Sequence, residues 1–157
     1  MTTVLRSPVS AADAIMLLDE YFDDRRRGHP GGGYVISRPV PENFEPPAGD
    51  FVVLYDGSDP IGCGGVRSLS PERFEIKHLY VRASTRGRGL GRVLVGELEQ
   101  IAASLGAHDV VLDTNASLDA ANGLYRACGY AEIAAYNDNP NATTWFMKRL
   151  KTASSHG

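Results

Sequence analysis

The residues Arg86-Gly87-Arg88-Gly89-Leu90-Gly91-Arg92 carry the most legible chemistry in this chain. Phe74 to Arg82, just before, has the composition of a strand, and Leu90 to Leu105, just after, has the spacing of an amphipathic helix. A glycine-rich turn at that junction presents main-chain N–H groups that lack partners within the helix, where the dipole is positive. Such a turn seats a phosphate or a diphosphate. Glycine lets the backbone approach the ligand because no Cβ intervenes. Arg82, Arg86, Arg88 and Arg92 add positive charge. The plain alternative is an ordinary tight turn with solvated arginines. Arginines interleaved with glycines at a strand-to-helix junction speak against it.

Two other side chains invite a chemical reading. Glu75 is a carboxylate in a strand that should be central; burial there raises a carboxyl pKa and suits it to general-base work. The alternative is a Glu75–Lys77 ion pair on one strand face. Cys63 lies in Gly62-Cys63-Gly64-Gly65 with no histidine or aspartate at a telling spacing, so it reads as a small core residue. Glycines within a strand signal a bulge or the close approach of a ligand. The four histidines and two cysteines show no metal-ligand spacing, so no metal is expected.

Two familiar phosphate-binding patterns fail here before a third is met by resemblance. A P-loop needs Lys and then Ser or Thr after its last glycine, whereas Gly91 is followed by Arg92-Val93. The dinucleotide fingerprint needs a glycine at the sixth place, which is Arg92 or Leu94 depending on the start. What does match is Arg-x-x-Gly-x-Gly, as Arg86, Gly89 and Gly91, preceded by Leu79-Tyr80-Val81. With Leu124-Tyr125 and Gly129-Tyr130, similar to a Leu-Tyr-x-x-x-Gly-Phe marker, the chain resembles the GNAT superfamily of acyl-CoA N-acyltransferases. The resemblance covers nearly the whole chain and is strongest from Phe74 to Tyr130.

The resemblance implies an α/β protein, a mixed α+β sheet in the GNAT fold, that uses acetyl-CoA as cosubstrate. It implies that the backbone of Leu79, Tyr80 and Val81 pairs with the pantetheine arm. The N–H groups of Arg86, Gly87, Arg88, Gly89, Leu90, Gly91 and Arg92 would hold the diphosphate. Tyr125 would be the general acid toward the leaving thiolate; without the resemblance it reads as a core aromatic with a bonded hydroxyl. Glu75 would be the base, acting directly or through water, and an N–H near Leu79 would polarise the thioester carbonyl. The family often has Asn seven residues before the tyrosine; here that place is Leu118, and Asn122 is taken as its substitute. The implied reaction is acetyl transfer to a primary amine of a small molecule or protein. Two alternatives are an acyl-CoA-binding sensor without turnover and a module whose last strands form a dimer surface.

Composition agrees with a domain spanning 1–150 and a disordered tail over 151–157. The chain has 157 residues, 43% hydrophobic and 22% charged. A net charge of −3 gives no argument for nucleic acid or an anionic membrane. There is no apolar run of bilayer length, and Met1 to Arg6 lacks the charged start and apolar core of a signal peptide, so a cytoplasmic location is expected.

The elements that must position these residues can be placed. Thr3 to Arg6 reads as a strand. A Ser10–Asp13 capping box predicts a helix from Ala11 with Ala14, Leu17 and Leu18 on one face. That helix ends in Asp23 to Arg27, which reads as a solvated terminus or as one edge of an acceptor mouth. Gly31 to Gly49, rich in Gly and Pro, predicts a long loop bordering the substrate site. In it and after it, Glu42, Glu45 and Asp50 would draw a cation. Strands are predicted over Phe51 to Tyr55 and Ile61 to Leu69, as a hairpin, and then over Phe74 to Arg82. Strict alternation in the last puts Glu75, Lys77, Leu79 and Val81 on one face and Phe74, Ile76, His78 and Tyr80 on the other. The helix after the loop has an apolar stripe of Leu90, Val93, Leu94, Leu98, Ile101 and Leu105. A strand at Val110 to Leu112, a helix from Leu118 to Cys128, and strands at Tyr130 to Tyr136 and Thr144 to Leu150 complete the order.

Overall fold

The computed structural model describes residues 1–151, and the tail expected over 151–157 lies, beyond its first residue, outside the described residues. Strand β1 (Thr2–Arg6) leads to helix α1 (Ala12–Gly28) and the strands β2 (Gly49–Asp56), β3 (Asp59–Ser70) and β4 (Arg73–Val81). Helix α2 (Leu90–Ser104), strand β5 (Asp109–Thr114), helix α3 (Asp119–Ala127) and strands β6 (Ala131–Ile133) and β7 (Thr144–Arg149) follow. The sheet has seven strands in the order β1-β2-β3-β4-β5-β7-β6. Every pairing is antiparallel except β4 with β5. Among the described residues no helix is long and apolar enough to cross a membrane.

The sheet is covered on both faces. Leu17, Leu18 and Phe22 of α1 pack with Phe44, Phe51 and Val53 on one side. Leu94, Leu98 and Ile101 of α2 pack with Val52, Leu54 and Phe74 on the other. The bare Gly62-Cys63-Gly64-Gly65 stretch serves this packing and not a ligand. A Cβ on Gly64 would lie 2.9 Å from the Leu98 side chain, and one on Gly65 would lie 2.7 Å from Phe44. Cys63 is fully buried between them, as a core residue should be.

The parallel pairing of β4 and β5 is brief, linking only Arg73–Glu75 with Asp109–Val111. Beyond Glu75 the strands part, so the main chain from Ile76 to Val81 loses its neighbour on that side. Here β4 also carries a bulge: Cys63 faces Tyr80 and Gly65 faces Lys77, so two residues of β4 oppose Gly64. His78 sits in it at φ 60, an unusual conformation for a residue with a Cβ. The bulge overturns strict alternation. Phe74, Ile76 and Leu79 face α2, whereas His78 and Tyr80 face α1.

Other expectations are corrected by local structure. No side chain caps α1 at its start; Ser10 makes no capping box, and Asp13 instead accepts from the Tyr55 hydroxyl at 2.6 Å. In α2 Val93 is 44% exposed and Val95 is buried in its place, packed with Leu94 and Leu98 in the core. The strand expected from Tyr130 to Tyr136 stops at Ile133. Gly129 ends α3 as predicted, with Gly129 N–H on the Arg126 carbonyl and Tyr130 N–H on Tyr125, a Schellman arrangement.

Candidate functional site

The gap between β4 and β5 opens into two cavities, of about 730 Å³ and about 470 Å³. Leu79 of β4, Leu118 before α3, Tyr125 of α3 and Arg25 of α1 lie on the walls of both. They mark where the two cavities meet.

The larger cavity runs over the start of α2. Arg86, Gly87, Gly89, Leu90, Gly91 and Arg92 line it, opposite Ala120, Ala121 and Leu124 of α3. The glycines do different jobs. Gly89, which caps α2, has φ 74, and a Cβ there would meet nothing within 4 Å. It is needed for its backbone conformation and leaves the helix N-terminus bare. Gly91 instead admits α3, since a Cβ would lie 2.9 Å from Leu124. Along β4, Arg82 N–H donates to Ile61, so the main-chain groups of Val81 point away from β3, into the gap. The Val81 carbonyl already accepts from Arg86 Nε at 3.1 Å. Leu79 and Tyr80 also lie on this wall. The cradle and the open strand edge fit a diphosphate with an extended arm, which is the shape of coenzyme A.

Not all the expected cations serve this seat. Arg82 pairs with Glu20 at 2.7 Å and Arg88 with Asp56 at 3.4 Å, and neither is on the wall. Asn122 is off both walls too. It donates to the Asn115 and Leu118 carbonyls at 3.0 and 2.8 Å, so its side chain secures the start of α3. Leu118 itself occupies the wall where the missing Asn would stand.

Tyr125 is 6% exposed, with its ring against Tyr130 and Phe146. No hydrogen bond holds its hydroxyl among the described residues. Burial pushes the phenol pKa well up, opposed by the nearby Arg25 charge. The hydroxyl is therefore protonated at neutral pH.

Glu75 is fully buried, as expected for a central strand, yet it is off both walls. Its Oε1 accepts from Arg67 Nε and Nη2 at 3.0 and 2.9 Å, and its Oε2 accepts from the Tyr136 hydroxyl at 2.5 Å. The alternative Glu75–Lys77 pair is absent, because Lys77 pairs with Asp113 at 3.4 Å. Among the described residues, Glu75 joins the wall of the smaller cavity through Arg67, which does line it.

That smaller cavity lies between the α1 side of β4, the long loop and the polar turn after β6. Tyr34, Arg38 and Val40 bring the loop to its wall. The Asn-rich turn holds it there. Asn141 Oδ1 accepts from Val35 N–H at 2.9 Å, and its Nδ2 donates to the Val35 carbonyl at 2.7 Å. Trp145 Nε1 donates to Asn137, which donates to Asp113 at 2.7 Å. Lys77 and these amide donors hold the Asp113 carboxyl below its ordinary range against the opposing effect of burial. His78 is 7% exposed on the same wall, and its Nδ1 is buried without a partner among the described residues. Burial, then the charges of Lys77 and Arg67, push it down to about 3, so it is neutral at physiological pH.

The acidic residues expected to draw a cation are not at this cavity. Glu42 and Glu45 are exposed away from it, and Asp50 is buried against Arg6 at 3.3 Å. The charged end of α1 divides its roles. Arg26 and Arg27 pair with Asp23 in solvent, and Arg25 turns inward to the junction. Arg38, Arg67, His78 and Asp113 were missed as wall residues, for want of a motif; only the polar turn around Asn137 and Asn141 left a visible signal.

A mixed sheet that splays beside a glycine-rich helix start defines the class of GNAT acetyltransferases. The model of the GNAT acetyltransferase family matches residues 15–130. The chain belongs to that family, whose members are acetyl-CoA-dependent acyltransferases. An uncharacterised N-acetyltransferase of Schizosaccharomyces pombe is 36% identical over 67% of this chain and 66% of its own length. Another from Chlorobaculum tepidum is 30% identical over 84% of this chain and 77% of its own. A GNAT acetyltransferase of Staphylococcus aureus superposes with TM-score 0.79 at 14% identity, covering 96% of this chain and 100% of that one. One from Elizabethkingia anophelis with acetyl-CoA bound superposes with TM-score 0.62 at 15% identity, over 95% and 98%.

Proposed function

We propose that this protein transfers an acetyl group from acetyl-CoA to a primary amine. The observation that carries the proposal is the meeting of two cavities at Leu79 and Tyr125, one with a main-chain anion cradle and one without. The cradle of Arg86 to Arg92 binds the diphosphate, and the free edge of Leu79 to Val81 orients the arm. Bound acetyl-CoA supplies an activated thioester carbonyl at the junction. The amine approaches from the smaller cavity as the neutral nitrogen, and a main-chain N–H near Leu79 stabilises the charge that develops on the carbonyl oxygen. The C–S bond breaks as the N–C bond forms. Tyr125 Oη gives its proton to the departing sulfur, and the nitrogen loses one proton.

Glu75 enters the proposal at one remove, as the final acceptor of the amine proton through an intervening water. Its burial and its bonds to Arg67 and Tyr136 keep it from direct contact. Glu75→Gln is expected to lower kcat/KM by about 10–100-fold, most strongly at low pH, where the amine is most protonated. A lowered rate with an unchanged pH profile would reduce Glu75 to the holder of Arg67.

Release of free CoA thiol, followed over a panel of amines, amino acids, polyamines, aminoglycosides and lysine peptides, tests the main proposal. Binding of acetyl-CoA with no thiol release from any of them would sink it. The loop clamp has its own test. Asn141→Ala removes both bonds to Val35, each worth about 1 kcal/mol. It is expected to raise the acceptor KM roughly tenfold while the Kd for acetyl-CoA stays put.

A further inference from the structure

Resting on that reading, we infer that the acceptor is a free apolar amino acid, an amine whose own carboxylate is seated by Arg67, Lys77 and Arg38. The wall of the smaller cavity carries Arg25, Arg38, Arg67 and Lys77, and Asp113 is its one carboxylate among the described residues. The balancing acids stand behind these cations. Glu75 is fully buried behind Arg67, whose side chain is 35% exposed. Asp19, the partner of Arg38, is off the wall. Asp113 is on it, but its side chain is only 6% exposed beside Lys77 at 22%. A ligand therefore meets the cationic layer first.

The donors also remain available. Arg67 spends Nε and Nη2 on a single oxygen of Glu75, leaving Nη1 for a second carboxylate. Arg38 spends Nη2 on Asp19 and lies over the Phe22 ring at 5.0 Å, leaving Nε and Nη1 without a protein partner among the described residues. Lys77 precedes Leu79 by two residues, roughly 6–7 Å along a strand and less across a bulge. The anion seat is thus close to the carbonyl that the amine must reach. That separation suits an α- or β-amino acid better than a diamine or a lysine side chain of a protein. A polyamine would bring a second ammonium against these cations, with like charges repelling. The aromatic faces of Tyr21, Phe22 and Phe44 on the same wall suit an apolar side chain.

The test compares matched trios: leucine or phenylalanine, its primary amide, and its decarboxylated amine. The acid is expected to show about tenfold or greater kcat/KM over both others, as a site built for a charged partner rejects analogues lacking it. Arg38→Gln is expected to shrink that gap at least about fivefold; its partner Asp19 is 56% exposed, so the fold is not at stake. Equal or reversed preference among the trios overturns the inference and leaves acetyl transfer standing. Calorimetry with N-acetyl-leucine and N-acetyl-leucinamide in the presence of CoA reads the seat without turnover. About tenfold tighter binding of the acid sustains the inference even if no amine is acetylated, which would fail the proposed reaction alone. Equal binding of the two overturns it.

Discussion

Gly89→Asp is expected to weaken acetyl-CoA binding by at least about 100-fold, measured by calorimetry, while the protein stays folded. Gly89 precedes the first turn of α2 at φ 74, and the direction of its absent Cβ is open. An aspartate there puts a side chain and a negative charge into the diphosphate seat. The backbone strain costs about 1–2 kcal/mol for a residue with a Cβ, less for Asp than for most. A carboxylate at a helix N-terminus returns part of that through the dipole. The variant is therefore tolerated by the helix and rejected by the ligand, which separates binding from folding. An unaltered Kd would remove the cradle from the argument.

Tyr125→Phe is expected to lower kcat about 100-fold with the Kd for acetyl-CoA within about twofold, since a placed general acid contributes roughly 10²–10⁴. The ring that packs on Phe146 and Tyr130 is kept. Its hydroxyl has no hydrogen bond among the described residues, so removing it leaves no orphaned partner, and stability should move by about 0.5 kcal/mol or less. Pre-steady-state thiol release distinguishes the chemical step from product release. An undiminished kcat would make Tyr125 a packing residue at the junction. Because burial holds this phenol protonated beyond the neutral range, the wild-type rate should show no loss from its ionisation at physiological pH.

Much of the glycine-rich end of the candidate site is local in the chain, and for that reason legible. Arg86 to Arg92 form one turn between a strand and a helix, so residue type and order specify the glycine conformations and the exposed amides. The Gly129 stop of α3 is equally local, a matter of adjacent backbone groups. The end at the smaller cavity is not. Arg67 meets Glu75 through strand register, Asn141 meets Val35 across 106 residues, and Arg38 arrives on a loop with no period. No spacing rule connects such partners. Glu42, Glu45 and Asp50 stand away from the cavity for the same cause: charge in a sequence does not say which way a loop residue or a strand residue will face.

From its residues alone, this chain declares a mixed α/β domain, a glycine-rich start to its second helix and a tyrosine on its third, because turns, caps and helical stripes depend on neighbours a few positions apart. Only the tertiary structure decided that the His78 bulge turns β4 over, that β4 and β5 part after Glu75, and that the cavity between them is faced with arginine and lysine. Those outcomes depend on which distant strands and loops come to lie together. Packing on two faces of one sheet, and not the order of types along the chain, selects them.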